Sequence, residues 1–138
     1  MSSISALANV HSKGQFGDCE NKKENNLLKI TENKNLLIAQ IVQYKNSSIS
    51  IENINLDGLK LNEKPLSVTN NKDTRILWNG PKNWILVSTK KDLLKDIFQN
   101  LKETDFAVTD LSHSRAIIEI EGQNVKEVLK KGCPFNFN

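Results

Sequence analysis

Apolar and polar positions change period several times along the chain, and each change marks an element. Residues 36–44, LLIAQIVQY, are nearly continuous in apolar residues, the pattern of a strand covered on both faces. Residues 27–31 are short and apolar and predict an edge strand. Residues 75–78 and 84–88 are two β-rich runs around Asn79-Gly80-Pro81-Lys82-Asn83, a turn by composition. They predict a hairpin with one tryptophan, Trp78 or Trp84, on each arm. Thr89 is placed to cap a helix over 91–102, with Asp92 as its capping-box partner. Leu93, Leu94, Ile97, Phe98 and Leu101 share one face of that helix. Residues 106–111 and 115–121 predict two strands around the turn Ser112-His113-Ser114, and Ile118 and Ile120 fall on one face of the second. Gly122 ends that strand. Val125, Val128 and Leu129 then recur at helical spacing and predict a helix over 123–131. Lys130 and Lys131 lie in its last turn, where cations favour the helix dipole. Gly132 is placed for a left-handed residue after the helix, and Pro134 bars continuation.

Two stretches are less distinct. Residues 47–55 read two ways: Ile49 and Ile51 alternate as in a strand, but Ser48 as an N-cap, Glu52, and the spacing of Ile51 and Ile54 favour a short helix ended near Gly58. Residues 59–71 are polar, contain Pro65 and predict a loop. The element order gives an α+β class: a split βαβ, ferredoxin-like unit, then a strand and helix that open a second unit. All five longer strands are expected in one sheet. The helix over 123–131 needs a further sheet surface over its apolar face, and none follows before Asn138. The expected organisation is a flexible arm over 1–26, with Phe16 as its one aromatic, and a single α+β domain over 27–138, incomplete at its C-terminal end.

Charge narrows the function classes. The chain of 138 residues has 19 Lys+Arg against 16 Asp+Glu, a balance without the basic stripe of a nucleic-acid binder. No apolar run approaches the roughly 18 residues of a membrane span. No secretory signal is visible at the N-terminus. Cys19 and Cys133 read as free thiols of a cytoplasmic protein.

Candidate chemistry is sparse. Asp110, Ser112 and His113 lie too close in sequence to converge as a triad, and Asp and Ser at a strand end bond local backbone. Cys133 follows a helix C-terminus, where the dipole disfavours a thiolate. His11, Cys19, His113 and Cys133 lack metal-ligand spacing. No glycine-rich nucleotide loop occurs. Trp78 and Trp84 are better placed to pack than to stack on a ligand. The residues alone describe an α+β domain with no catalytic, cofactor-binding or metal residues of its own.

Several stretches resemble the gamma subunit of heterotetrameric sarcosine oxidase, in the right order. Ser5-Ala6-Leu7 with Gly14-Gln15-Phe16-Gly17 looks like that family's N-terminal arm, and Leu28-Lys29-Ile30-Thr31-Glu32 like its first strand. Trp78-Asn79-Gly80-Pro81-Lys82-Asn83-Trp84 is similar to its W-x-G-P-x-x-W hairpin. Asp110, Ser112, Ser114 and Arg115, then Gly122, then Val128-Leu129-x-Lys131-Gly132-Cys133-Pro134, look like its D-x-S-x-S/A-R, G and V-L-x-K-G-C-P signatures. His113 departs from the acidic residue common in that turn, and the family normally continues past this length. The resemblance implies a truncated aminomethyltransferase-like folate-binding fold and a noncatalytic subunit. It implies packing on the alpha subunit, with beta and delta in the complex. FAD, FMN, NAD and tetrahydrofolate would sit in the partner subunits. An alternative is a folate-dependent aminomethyltransferase or the related iron–sulfur assembly protein: Asp110-Leu111-Ser112-His113 resembles the D-x-S-H of the former, and Lys131-Gly132-Cys133 the K-G-C of the latter.

Overall fold

The computed structural model describes residues 4–5, 7–10 and 28–136. Contacts group residues 35–115 into one compact unit and residues 1–34 with 116–138 into another, whereas the sequence places its one internal boundary at residue 26.

The 35–115 unit is built on five antiparallel strands. They are β2 (Leu37–Gln43), β5 (Val68–Asn70), β6 (Thr74–Gly80), β7 (Asn83–Ser88) and β8 (Phe106–Asp110), in the spatial order β5-β6-β7-β2-β8. β7 and β8 flank β2 and are joined through helix α1 (Leu93–Asn100), a crossover with a third strand inserted. Register places Leu37, Ala39, Ile41, Ile76, Trp84, Leu86 and Phe106 on one sheet face. These residues are buried together with Leu93 and Ile97 of α1 and its C-cap, Leu101. This period-2 face against a helical stripe is the alternation that the sequence carries. The buried polar residues Gln43, Thr74 and Ser88 are paired, as burial requires. Gln43 Nε2 donates to the Ile49 carbonyl at 2.8 Å, and the Thr74 and Ser88 hydroxyls bond each other at 2.8 Å.

The crossover from β2 to β6 departs from expectation. In place of a short helix within 47–55 there is one 3-10 turn, Ile51–Asn53, and then a small hairpin of β3 (Asn55–Leu56) and β4 (Leu59–Lys60). Asp57 and Gly58 form its two-residue turn with φ of 54° and 79°. Positive φ at both positions matches the twist of the flanking strands, so Gly58 turns a hairpin and does not stop a helix. The hairpin buries Leu56, and β4 and β5 take up part of the stretch expected as loop. The cap of α1 also differs. Asp92 occupies the N-cap position without a side-chain capping bond, and the Thr89 hydroxyl donates instead to Asp73 Oδ1 at 3.4 Å. Phe98, expected on the core face, is 49% exposed.

The second unit pairs β1 (Lys29–Asn33) with β9 (Ile117–Glu121), antiparallel, followed by α2 (Val125–Gly132). β9 was expected in the main sheet. It forms a separate two-stranded sheet, because alternation fixes which face a residue lies on and not which strand pairs with it. Ile30, Ile118 and Ile120 share one face. Lys29, Thr31, Asn33, Glu119 and Glu121 share the other, where Lys29 pairs with Glu121 at 3.2 Å and Asn33 Nδ2 donates to Glu119 at 2.9 Å. The Ser5 hydroxyl, in the expected arm, donates to the Glu32 carboxylate. No described residue of this unit is buried; Ile30, Ile118, Val128 and Phe135 are about half exposed.

Candidate functional site

The sequence singles out three places: the tryptophan hairpin, the Asp110–Arg115 turn and the C-terminal signature. The hairpin β6–β7 closes through two residues, Pro81 and Lys82, because Gly80 already pairs with Asn83. The register slips between Trp78 and Gly80, which leaves Asn79 as an extra residue in a bulge. Pro81 presets its own φ, and Lys82 takes the left-handed φ of 55°. The Lys82 carbonyl accepts from Gln43 N at 2.9 Å and Asn83 Oδ1 from Gln40 Nε2 at 3.2 Å, which ties the turn to β2.

Trp78 and Trp84 are cross-strand partners on the core face, but their surroundings differ. Trp84 is 1% exposed, and its Nε1 donates to the Asn62 carbonyl at 2.8 Å. It is a core residue and offers nothing to a ligand. Trp78 is half-buried, and its Nε1 is buried with no hydrogen-bond partner among the described residues. Asn79 and Pro81 are exposed.

In the second place, the Asp110 carboxylate accepts from the Ser112 hydroxyl at 2.5 Å and from Ser112 N at 2.9 Å. These two bonds, the hydroxyl first, hold Asp110 below the usual carboxylate range. Ser112 Oγ in turn accepts from Ile38 N at 3.0 Å, so both of its roles are structural. His113 is exposed and makes no hydrogen bond among the described residues, and Arg115 reaches only the Ser114 carbonyl, at 3.4 Å. The set is a local Asx-type turn that ends β8.

In the third place, Gly122 ends β9 with a φ of 143°. Gly132 is not the left-handed residue after the helix. It is the last residue of α2, Cys133 is the extended C-cap, and Cys133 N closes the final turn on the Leu129 carbonyl at 2.9 Å. Pro134 accounts for this, since a residue before proline is pushed to extended backbone. Cys133 is an exposed free thiol. Phe16 and Cys19 lie outside the described residues.

Sequence reasoning missed the most strongly perturbed acid. Asp57, in the β3–β4 turn, accepts from Lys90 Nζ at 2.8 Å, Thr74 Oγ1 at 2.5 Å and Asn71 Nδ2 at 3.2 Å. Those bonds, Lys90 foremost, bring its pKa from 3.8 down to about 2, and they raise that of Lys90. The network pins the small hairpin to the end of β6 and β7. Its one sequence signal was the Asp-Gly pair. An open cleft of about 530 Å³ lies between residues 47–52 and 61–64. The Gln43 amide on its wall is already bonded to Ile49 O. Among the described residues no group of three or more His, Cys, Asp or Glu is placed to hold a metal ion, and no helix is long and apolar enough to cross a membrane.

No family model matches the chain. Over 62 residues it is 36% identical to sarcosine oxidase subunit gamma of Corynebacterium sp. (strain U-96), a match that covers 44% of this chain and 30% of that protein. Among solved structures, a chain of heterotetrameric sarcosine oxidase from Corynebacterium sp. U-96, in complex with pyrrole 2-carboxylate, superposes with a TM-score of 0.71 at 23% identity. That superposition covers 83% of this chain and 60% of the other, so the chain spans less than two thirds of either relative. In sequence the chain is similar to a sarcosine oxidase gamma subunit, and its α+β fold is that of a chain in the heterotetrameric enzyme.

Proposed function

We propose that this chain is the noncatalytic gamma subunit of a cytoplasmic heterotetrameric sarcosine oxidase. The enzyme would oxidatively demethylate sarcosine to glycine, pass the one-carbon unit to tetrahydrofolate and form hydrogen peroxide. The observation that carries this reading is the 36% identity to a gamma subunit, and the superposition over 83% of the chain supports it. Flavins, NAD and folate then belong to the partner subunits, and the chain's contribution is assembly, chiefly on alpha. The fold corresponds in this reading to part of an aminomethyltransferase-like domain. The hairpin offers Trp78 and Pro81 as contacts, since aromatic anchors commonly carry interface energy, while Trp84 is excluded by its burial.

The test is co-expression of the tagged chain with the alpha, beta and delta subunits of a sarcosine oxidase, followed by affinity capture. The wild-type chain is expected to bring alpha with it, and Phe16→Ala and Trp78→Ala to bring less. Alone, the chain is expected to produce no peroxide from sarcosine. Folded protein that never captures alpha removes the subunit assignment. Tight tetrahydrofolate binding by the chain alone would favour the aminomethyltransferase alternative.

A further inference from the structure

Two pairs in this sequence put glycine after Asn or Asp, the composition that forms succinimides most readily: Asn79-Gly80 and Asp57-Gly58, and the structure treats them oppositely. Asp57 is bonded by Lys90, Thr74 and Asn71, and the first two bonds measure 2.8 and 2.5 Å. Its side chain cannot rotate onto the following backbone nitrogen without breaking all of them. It is also ionised at neutral pH, and a carboxylate is a poor acyl electrophile.

Asn79 has none of that restraint. It is exposed, it is the extra residue of the bulge, and its side chain has no hydrogen-bond partner among the described residues. The following residue has no side chain to hinder attack. A Cβ built on Gly80 would meet only Asn83 Cβ, at 4.0 Å, so the surroundings of Gly80 Cα are uncrowded.

We propose that Asn79 is a site of spontaneous deamidation and isoaspartate formation in the folded protein. Hydroxide removes the proton from the Gly80 backbone nitrogen, and that nitrogen attacks Asn79 Cγ. The new N–Cγ bond closes a succinimide while the Cγ–Nδ2 bond breaks, and ammonia leaves with a proton from water. Water then opens the ring at either carbonyl. One opening leaves aspartate. The other leaves isoaspartate, whose main chain runs through Cγ and is longer by a single atom. Both products place a carboxylate between Trp78 and Pro81, and the second also lengthens β6 next to the turn.

The experiment ages the purified full-length chain in mildly alkaline buffer, then locates the products by peptide mass mapping and by labelling with a protein isoaspartyl methyltransferase. The expected result is conversion at residue 79 well ahead of every other described asparagine, with residue 57 unchanged. Asn79→Gln should fold normally and lose the residue-79 signal, because glutamine closes the corresponding six-membered ring far more slowly. Denatured wild-type chain, where both pairs are free, should acquire isoaspartate at residue 57 as well. An intact Asn79 amide after ageing, or isoaspartate in the folded chain concentrated at residue 57, overturns the proposal.

Discussion

Asp57→Asn isolates the charge of the β3–β4 turn. Asparagine keeps the size of the side chain and tolerates the positive φ of 54° as well as aspartate does. The Thr74 hydroxyl can still donate to it, so the main loss is the ionic bond from Lys90. The shift from 3.8 to about 2 sets the scale. At about 1.4 kcal/mol for each pH unit, it corresponds to about 2–3 kcal/mol of stability. Lys90 is 48% exposed, so solvent screens the pair, and about 1 kcal/mol is the expected loss at neutral pH. The pH dependence follows from the sign of the shift. A carboxylate with a lowered folded-state pKa stabilises above its unfolded value of 3.8, and loses that contribution as pH falls towards 2. Urea titrations followed by tryptophan fluorescence report on this unit, because both tryptophans lie in it. The wild type should exceed Asp57→Asn at neutral pH, and the two curves should converge as the medium is acidified through that window. The substitution creates a second Asn-Gly pair, so fresh protein is required. A gap that persists unchanged at low pH, or no gap at neutral pH, would refute the electrostatic account.

Ile97→Ala, at a fully buried position of α1, should lower stability by about 2–5 kcal/mol in the same titration. Leu129→Ala, on a helix with no buried residue, should cost less than about 1 kcal/mol. Gly132→Ala should stabilise α2 by about 0.5–1 kcal/mol, seen as a rise in helical circular dichroism, since the site is helical and a Cβ there meets nothing within 4 Å. Trp84→Phe should cost about 1–2 kcal/mol, because it leaves the Asn62 carbonyl without its donor.

The elements that could be read from sequence are those whose pattern is local. β2, β6, β7, β8 and both helices lie within a few residues of where periodicity puts them, because burial of one face imposes that period. What failed depends on distant partners. Nothing in the alternation of Ile118 and Ile120 names β1 as the strand that β9 joins. Thr89 has the composition of a cap, but Asp73, sixteen residues earlier, binds its hydroxyl. Gly58 alone reads as a helix stop, although Asp57-Gly58 between Leu56 and Leu59 has the composition of a hairpin turn. At the candidate site, the Asp110–Ser112 turn was readable because both partners are adjacent. The difference between Trp78 and Trp84 was not, since it depends on Asn62 from another loop.

The pairing of β1 with β9 also orders the events of synthesis. Residues 35–115 are a continuous segment with their own core, so every strand of the main sheet has been translated before β9. β1 emerges first and finds its partner last, across a loop that contains the whole five-stranded sheet. Loop-closure entropy grows only slowly with such length, so the delay burdens folding order more than final stability. A released fragment ending just beyond residue 115 should therefore already protect the main sheet from protease, while Lys29–Asn33 stays open to cleavage for want of Ile117–Glu121.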